Sequence, residues 1–451
     1  MEKNKLWNWI RALIFLIILV VVIYSVSWHF GVEDSQSYEG VHEFFNERSG
    51  SLDAVYIGAS NVFQYYQPLL GWSEYGIAVW TYAVNNCPIL AMKHYIIEAR
   101  KTQPDALYII NLNAFRKDSA EVNTARIHHS IDYLPFSLNN MSMLHTLTDN
   151  LDTDASTLDK LEYYFPIIRF HSRWNELQPW VFGAGENHFK GSRSDGSFLN
   201  KITDVSKDWK PTDARSEVPE DILSAFNDLL DYCDENRVKA LFVIVPQNHN
   251  NTYQRRLNYV ADLVEQRNYP CLNLLNKTEE LGLDMKTDFY NKNHTNVHGS
   301  LKYSHYLGKY LIDHYVFQDK RWKKEWESWD QAADEYITKM IGKYALDFEI
   351  NHKARADINA PKIIRSAVDK QNIRIAWESV ETADGYAIYR KSNGQWKQIA
   401  YVNATTTAYT DKKLKASTKY TYTVVPYRIV DGVRQYGKFD MLGISKTTGG
   451  K

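Results

Sequence analysis

The chain has 451 residues, enough for two or three domains with a large core. Its formal net charge of -1 gives no general attraction to nucleic acid. Three scattered cysteines (Cys87, Cys233 and Cys271) exclude a disulfide framework and a cysteine-based metal site, and Cys271, in an apolar run, is expected to be buried. An aromatic share of 14% leans toward a carbohydrate-facing or cell-surface protein.

The N-terminus sets the compartment. Ala12 to Trp28 carries no charged side chain and is dominated by Leu, Ile and Val. Lys3, Lys5 and Arg11 precede it and Glu33 and Asp34 follow it, so the positive-inside rule keeps residues 1–11 in the cytoplasm and exports the rest. A spanning helix needs roughly 17–25 apolar residues, which residues 12–32 supply, with Trp7, Trp9 and Trp28 as interfacial anchors. The alternatives are a signal peptide cleaved near Ser25-Val26-Ser27 and a buried core helix.

After a linker at Gly31–Glu39, Asp53-Ala-Val-Tyr-Ile-Gly58-Ala-Ser60-Asn61 reads as a first strand with a serine at its carboxyl end. Pro88 to Lys101 has helical spacing, and Ala106–Leu112 is a continuous apolar run suited to a strand buried on both faces. From about 115 to 215 the chain is irregular, aromatic and polar, too long for an ordinary loop, and is expected to be a helical insertion that shapes a binding face. The α/β rhythm resumes with a helix over Pro219–Asn236, a strand over Ala240–Val245, a helix over Tyr253–Arg267, a strand over Cys271–Leu275 and a helix from Ser300 to about Tyr315. This alternation predicts an α/β domain over 50–318 built on a parallel sheet covered on both faces. A charged, Trp-rich helical linker (319–358) follows, then an all-β segment over 360–447. In that segment Trp377 on an early strand, Gly385-Tyr386-Ala-Ile388-Tyr389 and Leu414-x(5)-Tyr420-x-Tyr422-x-Val424 resemble a fibronectin type III sandwich.

Chemistry concentrates at two places. Ser60 closes the first strand, and in open parallel sheets reactive groups sit at carboxyl ends of strands. Far downstream, Asp288-Phe-Tyr-Asn291-Lys-Asn-His294-Thr-Asn296-Val-His298-Gly299 gathers acids, amides and two histidines in a polar turn. An early strand-end serine and a late histidine are the skeleton of a serine hydrolase or acyltransferase. The plain alternatives are a turn serine and a solvent-facing turn histidine. His294 and His298 lack a glutamate between them and a third ligand nearby, so no metal is expected. Arg126, His171 and Arg173, with His128, His129 and Arg169, are candidates to bind an anionic polymer, since arginine pairs with phosphate in bidentate fashion; packing or surface placement is the competing role. Gly191-Ser-Arg-Ser-Asp-Gly196 reads as a surface loop rather than a phosphate loop.

Gly58-Ala-Ser60 after the first strand, Asn111 and Asn113 after the third, and the closing histidine block together resemble the SGNH/GDSL hydrolase superfamily over about residues 50–315. With the N-terminal anchor, the likeness is to its membrane-tethered DltD-like and AlgJ/AlgX-type branches, which modify cell-envelope polymers. The resemblance implies a three-layer αβα sandwich, Ser60 as nucleophile and His294 as general base. It implies oxyanion donors from the Ser60 N–H and from one or more of Asn85, Asn86, Asn111 and Asn113. Where the family places Asp-x-x-His, this chain has Asn291, so either Asn291 or Asp288 orients His294. The implied function is transfer or hydrolysis of an ester-linked acyl group (D-alanyl or O-acetyl) on a polymer such as teichoic acid or exopolysaccharide, with no cofactor and with a multispanning membrane acyltransferase as partner. The competing reading is a non-catalytic envelope scaffold that binds glycan or protein.

Overall fold

A computed structural model describes residues 2–31, 40–153, 156, 159–175, 189–192, 201–321, 323–336, 358–392, 395–430, 432–440 and 443–450. The chain forms two compact units. The first comprises Met1–Gln64, Val79–Arg193 and Lys207–Thr278, the second Tyr65–Ala78, Ser194–Ser206 and Glu279–Lys451.

The first unit begins with helix α1 (Glu2–Gly31). Within it Lys5–Ser27, 23 residues whose most apolar 18-residue window has a mean hydropathy of 2.7, is long and apolar enough to cross a membrane, and only 6% of that window is buried by protein. The core of the unit is a parallel sheet of five strands in the order β2-β1-β3-β4-β5. Its strands are β1 (Ala54–Gly58), β2 (Val79–Ala83), β3 (Leu107–Asn111), β4 (Ala240–Ile244) and β5 (Cys271–Asn273). Every residue of β1 to β4 is buried, which is why β1, β3 and β4 read as apolar runs rather than alternating ones. Cys87 and Cys233 are buried, whereas Cys271 is half-buried, because β5 is the edge strand of the sheet.

Helix α2 (Ser60–Tyr65) follows β1 after a single residue, and α4 (Ile89–Thr102) connects β2 to β3. Between β3 and β4 lies the insertion. Its described part contains α5 (Thr124–Ile131), α6 (Leu138–Asp149), α7 (Leu161–Tyr164), α8 (Pro166–Phe170) and a tight turn at His171–Asn175. Asn123 caps α5 through the Arg126 N–H and Ser137 caps α6 through the Asn140 N–H. Helix α9 (Glu220–Glu235) buries Ile222, Phe226, Leu229, Leu230 and Cys233 at helical spacing and places Glu220 and Asp221 at its positive end. Helix α10 (Asn251–Gln266) precedes β5.

The segment expected as a surface loop begins differently. Lys190–Ser192 packs on the other edge strand, with the Lys190 carbonyl accepting from the Thr81 N–H at 3.1 Å. Gly191 is required there: a Cβ would lie 2.1 Å from the Thr81 carbonyl oxygen, and its φ is +84°. The remainder of that segment, 193–196, lies outside the described residues.

In the second unit, α3 (Pro68–Tyr75) packs against α11 (Val297–His314) and α12 (Glu327–Glu335). Two tryptophans of the segment expected as a linker, Trp326 and Trp329, close on Trp72 with ring centroids 5.3 and 5.1 Å away, and Trp322 lies outside the described residues. The helical stretch ends with α12 among the described residues, and 337–357 lie outside them. The histidine segment, expected as a turn, is a hairpin of β6 (Phe289–Asn291) and β7 (His294–Thr295). Asn296 caps α11 by accepting from the His298 and Gly299 N–H groups, so this helix starts three residues earlier than its apolar spacing suggested.

The C-terminal segment is two antiparallel sheets, β12-β9-β8 and β11-β10-β13-β14, with β15 on β13. The strands are β8 (Ile363–Asp369), β9 (Asn372–Trp377), β10 (Gly385–Ser392), β11 (Gln395–Asn403), β12 (Ala408–Asp411), β13 (Lys419–Val430), β14 (Val433–Tyr436) and β15 (Ile444–Thr447). Ile373, Ile375, Trp377, Tyr386, Ile388 and Val424 form its core. The Tyr420 hydroxyl accepts from the Lys415 N–H at 3.0 Å, tying the start of β13 to the preceding corner, which accounts for the Leu-x(5)-Tyr spacing.

One half-buried ion pair makes this unit sensitive to pH. His305 Nδ1 on α11 lies 2.9 Å from Glu74 Oε2 and 2.9 Å from the Tyr75 hydroxyl. Burial alone would lower its pKa, but the Glu74 carboxylate, helped by Asp440 and opposed by Lys309, overrides it and holds the imidazole above its ordinary 6.5. The folded state therefore binds this proton more tightly than the unfolded chain. The stabilisation is complete below about pH 6.5 and is lost as pH rises through the raised value. Thermal unfolding followed by circular dichroism is expected to show a lower midpoint at pH 9 than at pH 6. His305→Gln should shrink that difference; an equal drop in the variant would assign it to other groups.

Candidate functional site

The candidate serine belongs to the first unit. Gly58 ends β1 and Ser60 begins α2 one residue later, so the strand-to-helix turn leaves the Ser60 side chain half-buried at the carboxyl edge of the sheet. Glycine is needed at 58 because a Cβ there would lie 2.8 Å from Asn111 Cβ and 2.7 Å from Val62 Cγ2. That closeness brings the end of β3 directly beside the serine turn.

Asn111, the last residue of β3, is 1% exposed. Its Oδ1 accepts from Asn61 Nδ2 at 2.8 Å and from the Asn113 N–H at 3.1 Å. These two donors identify that atom as the oxygen, so the other is the amide nitrogen, and Nδ2 is buried with no hydrogen-bond partner among the described residues. A buried amide donor without a partner costs about 1–3 kcal/mol. A catalytic or binding role is one of the few explanations for keeping such a group.

The other three asparagines differ. Asn113 is spent on the sheet: its Nδ2 donates to the Val245 carbonyl and to Gln247 Oε1, both at 3.0 Å, and its Oδ1 accepts from the Val245 N–H at 2.9 Å. Asn86 is exposed, in the left-handed region at φ 52°, with its carbonyl accepting from Arg126 Nε at 3.2 Å. Asn85, beside it, is half-buried.

The candidate histidine belongs to the second unit. Asn291 and His294 face each other across the β6–β7 hairpin. Asn291 Oδ1 accepts from the Asn293 N–H at 2.8 Å, which identifies it as the oxygen. His294 Nδ1 lies 3.1 Å from the same atom and must therefore carry the hydrogen, leaving the Nε2 lone pair as the basic site. Asp288, 1% exposed, serves the hairpin's base: its carboxylate takes Lys302 Nζ at 2.5 Å and the Asp284 N–H at 2.7 Å.

Among the polymer-binding candidates, Arg126 braces its own neighbourhood by donating to the Asn86 and Glu121 carbonyls. His128 is buried against Asp132, with Nδ1 and Oδ2 2.9 Å apart. His171 is exposed on the turn that packs against α1, and the side chain of Arg173 lies outside the described residues. Residues that the sequence reading missed are Asn61, which holds Asn111, Gln247, which holds Asn113, and Lys117. Burial, reinforced by Arg126 and Arg116, pushes the Lys117 ammonium down to about 8. Its place just past the third strand's asparagines was the available signal. No group of three or more metal-ligating side chains occurs among the described residues.

No protein-family model matches the chain, and no curated protein matches it. Among solved structures, the chain is similar in part to a β-1,2-glucanase from Parabacteroides distasonis, at 22% identity over 22% of this chain and 14% of that one, with a TM-score of 0.19. It is also similar to a fibronectin type III domain of human collagen XX, at 21% identity over 21% of this chain and 96% of that one, TM-score 0.17. A third is the FN5 domain of Drosophila Lar, at 18% identity over 20% of this chain and 97% of that one, TM-score 0.17. Each likeness thus involves about a fifth of the chain.

Proposed function

We propose that the chain is a membrane-anchored, extracytoplasmic serine acyltransferase or esterase of the SGNH type. It acts on D-alanyl or O-acetyl esters of a cell-envelope polymer such as teichoic acid or exopolysaccharide. In this reading the first unit is the sheet of a three-layer αβα sandwich, α1 is the anchor, and the C-terminal sandwich is a fibronectin type III-like accessory. A multispanning membrane acyltransferase supplies the acyl group.

The observation that carries the reading is the unpartnered, buried Asn111 Nδ2 beside the Gly58–Ser60 turn. Ser60 Oγ attacks the acyl carbonyl carbon, and its proton passes to His294 Nε2. The oxyanion that forms accepts from Asn111 Nδ2 and from the Ser60 N–H. On collapse the acyl–oxygen bond to the donor breaks and the departing oxygen takes the proton from His294. The hydroxyl of a polymer, or water, then repeats the sequence on the Ser60 ester. Asn291 holds the imidazole in the tautomer this requires, without a carboxylate.

The test is acyl trapping with an activated acetyl ester on the full chain in detergent, read by intact mass and peptide mapping. An adduct on Ser60 is expected. Asn111→Asp keeps the acceptor oxygen and the shape but removes the N–H donor, and should slow adduct formation by about 10²–10³-fold. A variant as fast as the parent would remove Asn111 from the oxyanion site. Absence of any adduct on the parent would favour the scaffold reading.

A further inference from the structure

The insertion carries a surface that its catalytic reading does not use. Helix α8 and the His171–Asn175 turn both pack along α1. Phe136, just before α6, meets Tyr24 of α1 edge-on, with ring centroids 5.1 Å apart. Between these elements lies an open cleft of about 460 Å³, lined on one side by Val20, Val21 and Tyr24 of α1 and on the other by Phe136, Leu161 and Phe165. Its walls are almost wholly apolar. Phe136 of its lining is 63% exposed, and elsewhere in the insertion Leu138 is 85%, Ile168 52% and Trp174 71% exposed. A folded surface in water rarely groups such side chains.

Their depth follows from α1. At 1.5 Å per residue, Val20 lies about 10 Å inside the Ser27 end of the apolar span, and Tyr24 about 5 Å. Whatever touches these residues lies at the same depth. If α1 spans a bilayer, the cleft opens within the hydrocarbon margin of the leaflet nearest the folded units.

We infer that the insertion is seated in the membrane and that the cleft between α1 and α6–α8 holds an acyl chain of a bilayer lipid. The inference rests on α1 being a membrane span. It gives the insertion a second task, fixing the height of the first unit over the bilayer, which a single helix by itself does not do.

The experiment uses the full chain in nanodiscs of phosphatidylglycerol and phosphatidylethanolamine, with Cys271→Ala to remove the half-buried thiol. Bimane is attached at one of four positions: Leu13→Cys (mid-span), Leu138→Cys (exposed, two residues beyond Phe136 of the cleft), Leu161→Cys (cleft wall) or Asp105→Cys (exposed before β3). Quenching by dibrominated acyl chains is compared with quenching by iodide. Bromolipid should quench positions 13, 138 and 161 several-fold more than iodide does, with the reverse at 105. Position 13 in lipid but 138 and 161 open to iodide would overturn the seat and the cleft while leaving the anchor intact. Position 138 in lipid with 161 untouched by bromolipid would overturn acyl-chain occupancy. Position 13 open to iodide would overturn the anchor and this inference with it.

Discussion

Ser60→Ala is expected to lower turnover of an activated ester on the order of 10⁵–10⁶-fold, and His294→Ala to do nearly the same, with the double variant no worse than either. The non-additivity is the informative part. A nucleophile and its base act in one step, so removing either leaves only the oxyanion donors and binding. The adduct on Ser60 should vanish in Ser60→Ala. It should form very slowly in His294→Ala, because the hydroxyl then has no acceptor for its proton. If the two losses multiplied, Ser60 and His294 would serve separate steps and the dyad would be wrong. Asn291→Ala should cost far less than either, since it removes only the group that holds the Nδ1 hydrogen in place.

Trp72→Ala should destabilise the second unit by about 3–5 kcal/mol, the usual cost of deleting a buried large aromatic side chain. Trp72 is 1% exposed, stacks with Trp326 and Trp329, and donates from Nε1 to Asp330 Oδ1 at 2.9 Å. One substitution thus opens a cavity and removes the anchor that holds α12 on α3. Trp72→Phe keeps much of the stacking area and should cost less. The denaturant midpoint monitored by tryptophan fluorescence reads both. A loss under about 1 kcal/mol for Trp72→Ala would mean that the cluster closes up around the gap.

The parts of the fold most legible in the sequence were those whose burial leaves a local pattern. β1, β3 and β4 are unbroken apolar runs, and α9 shows its buried face at helical spacing. β2 was missed: Thr81 sits inside Val79–Ala83, and its N–H pairs with Lys190 more than a hundred positions away, which no local pattern records. The β6–β7 hairpin was read as a turn because strands of three and two residues are too short to show alternation. At the site, the serine and the histidine stood out by residue type. Choosing among the four asparagines did not follow from type, because Asn111 and Asn113 differ only in whether Nδ2 is already engaged. That difference depends on Val245 and Gln247, which follow a strand much later in the chain. The bracing of His294 was left open between Asp288 and Asn291, and the Asn293 N–H, which fixes the Asn291 amide, supplies a geometric reason to favour the amide.

The long insertion also sets a timetable. Asn113 and Val245 are 132 positions apart, yet they bond directly and hold the outer side of β3 to β4. At about 5–20 residues per second, a ribosome needs roughly 7–26 s to make the chain between them. For that interval β1, β2 and β3 can pair while the far edge of β3, with its run of Tyr, Ile and Ile, has no neighbour. A nascent chain of this kind depends on its surroundings to keep that edge from joining another molecule.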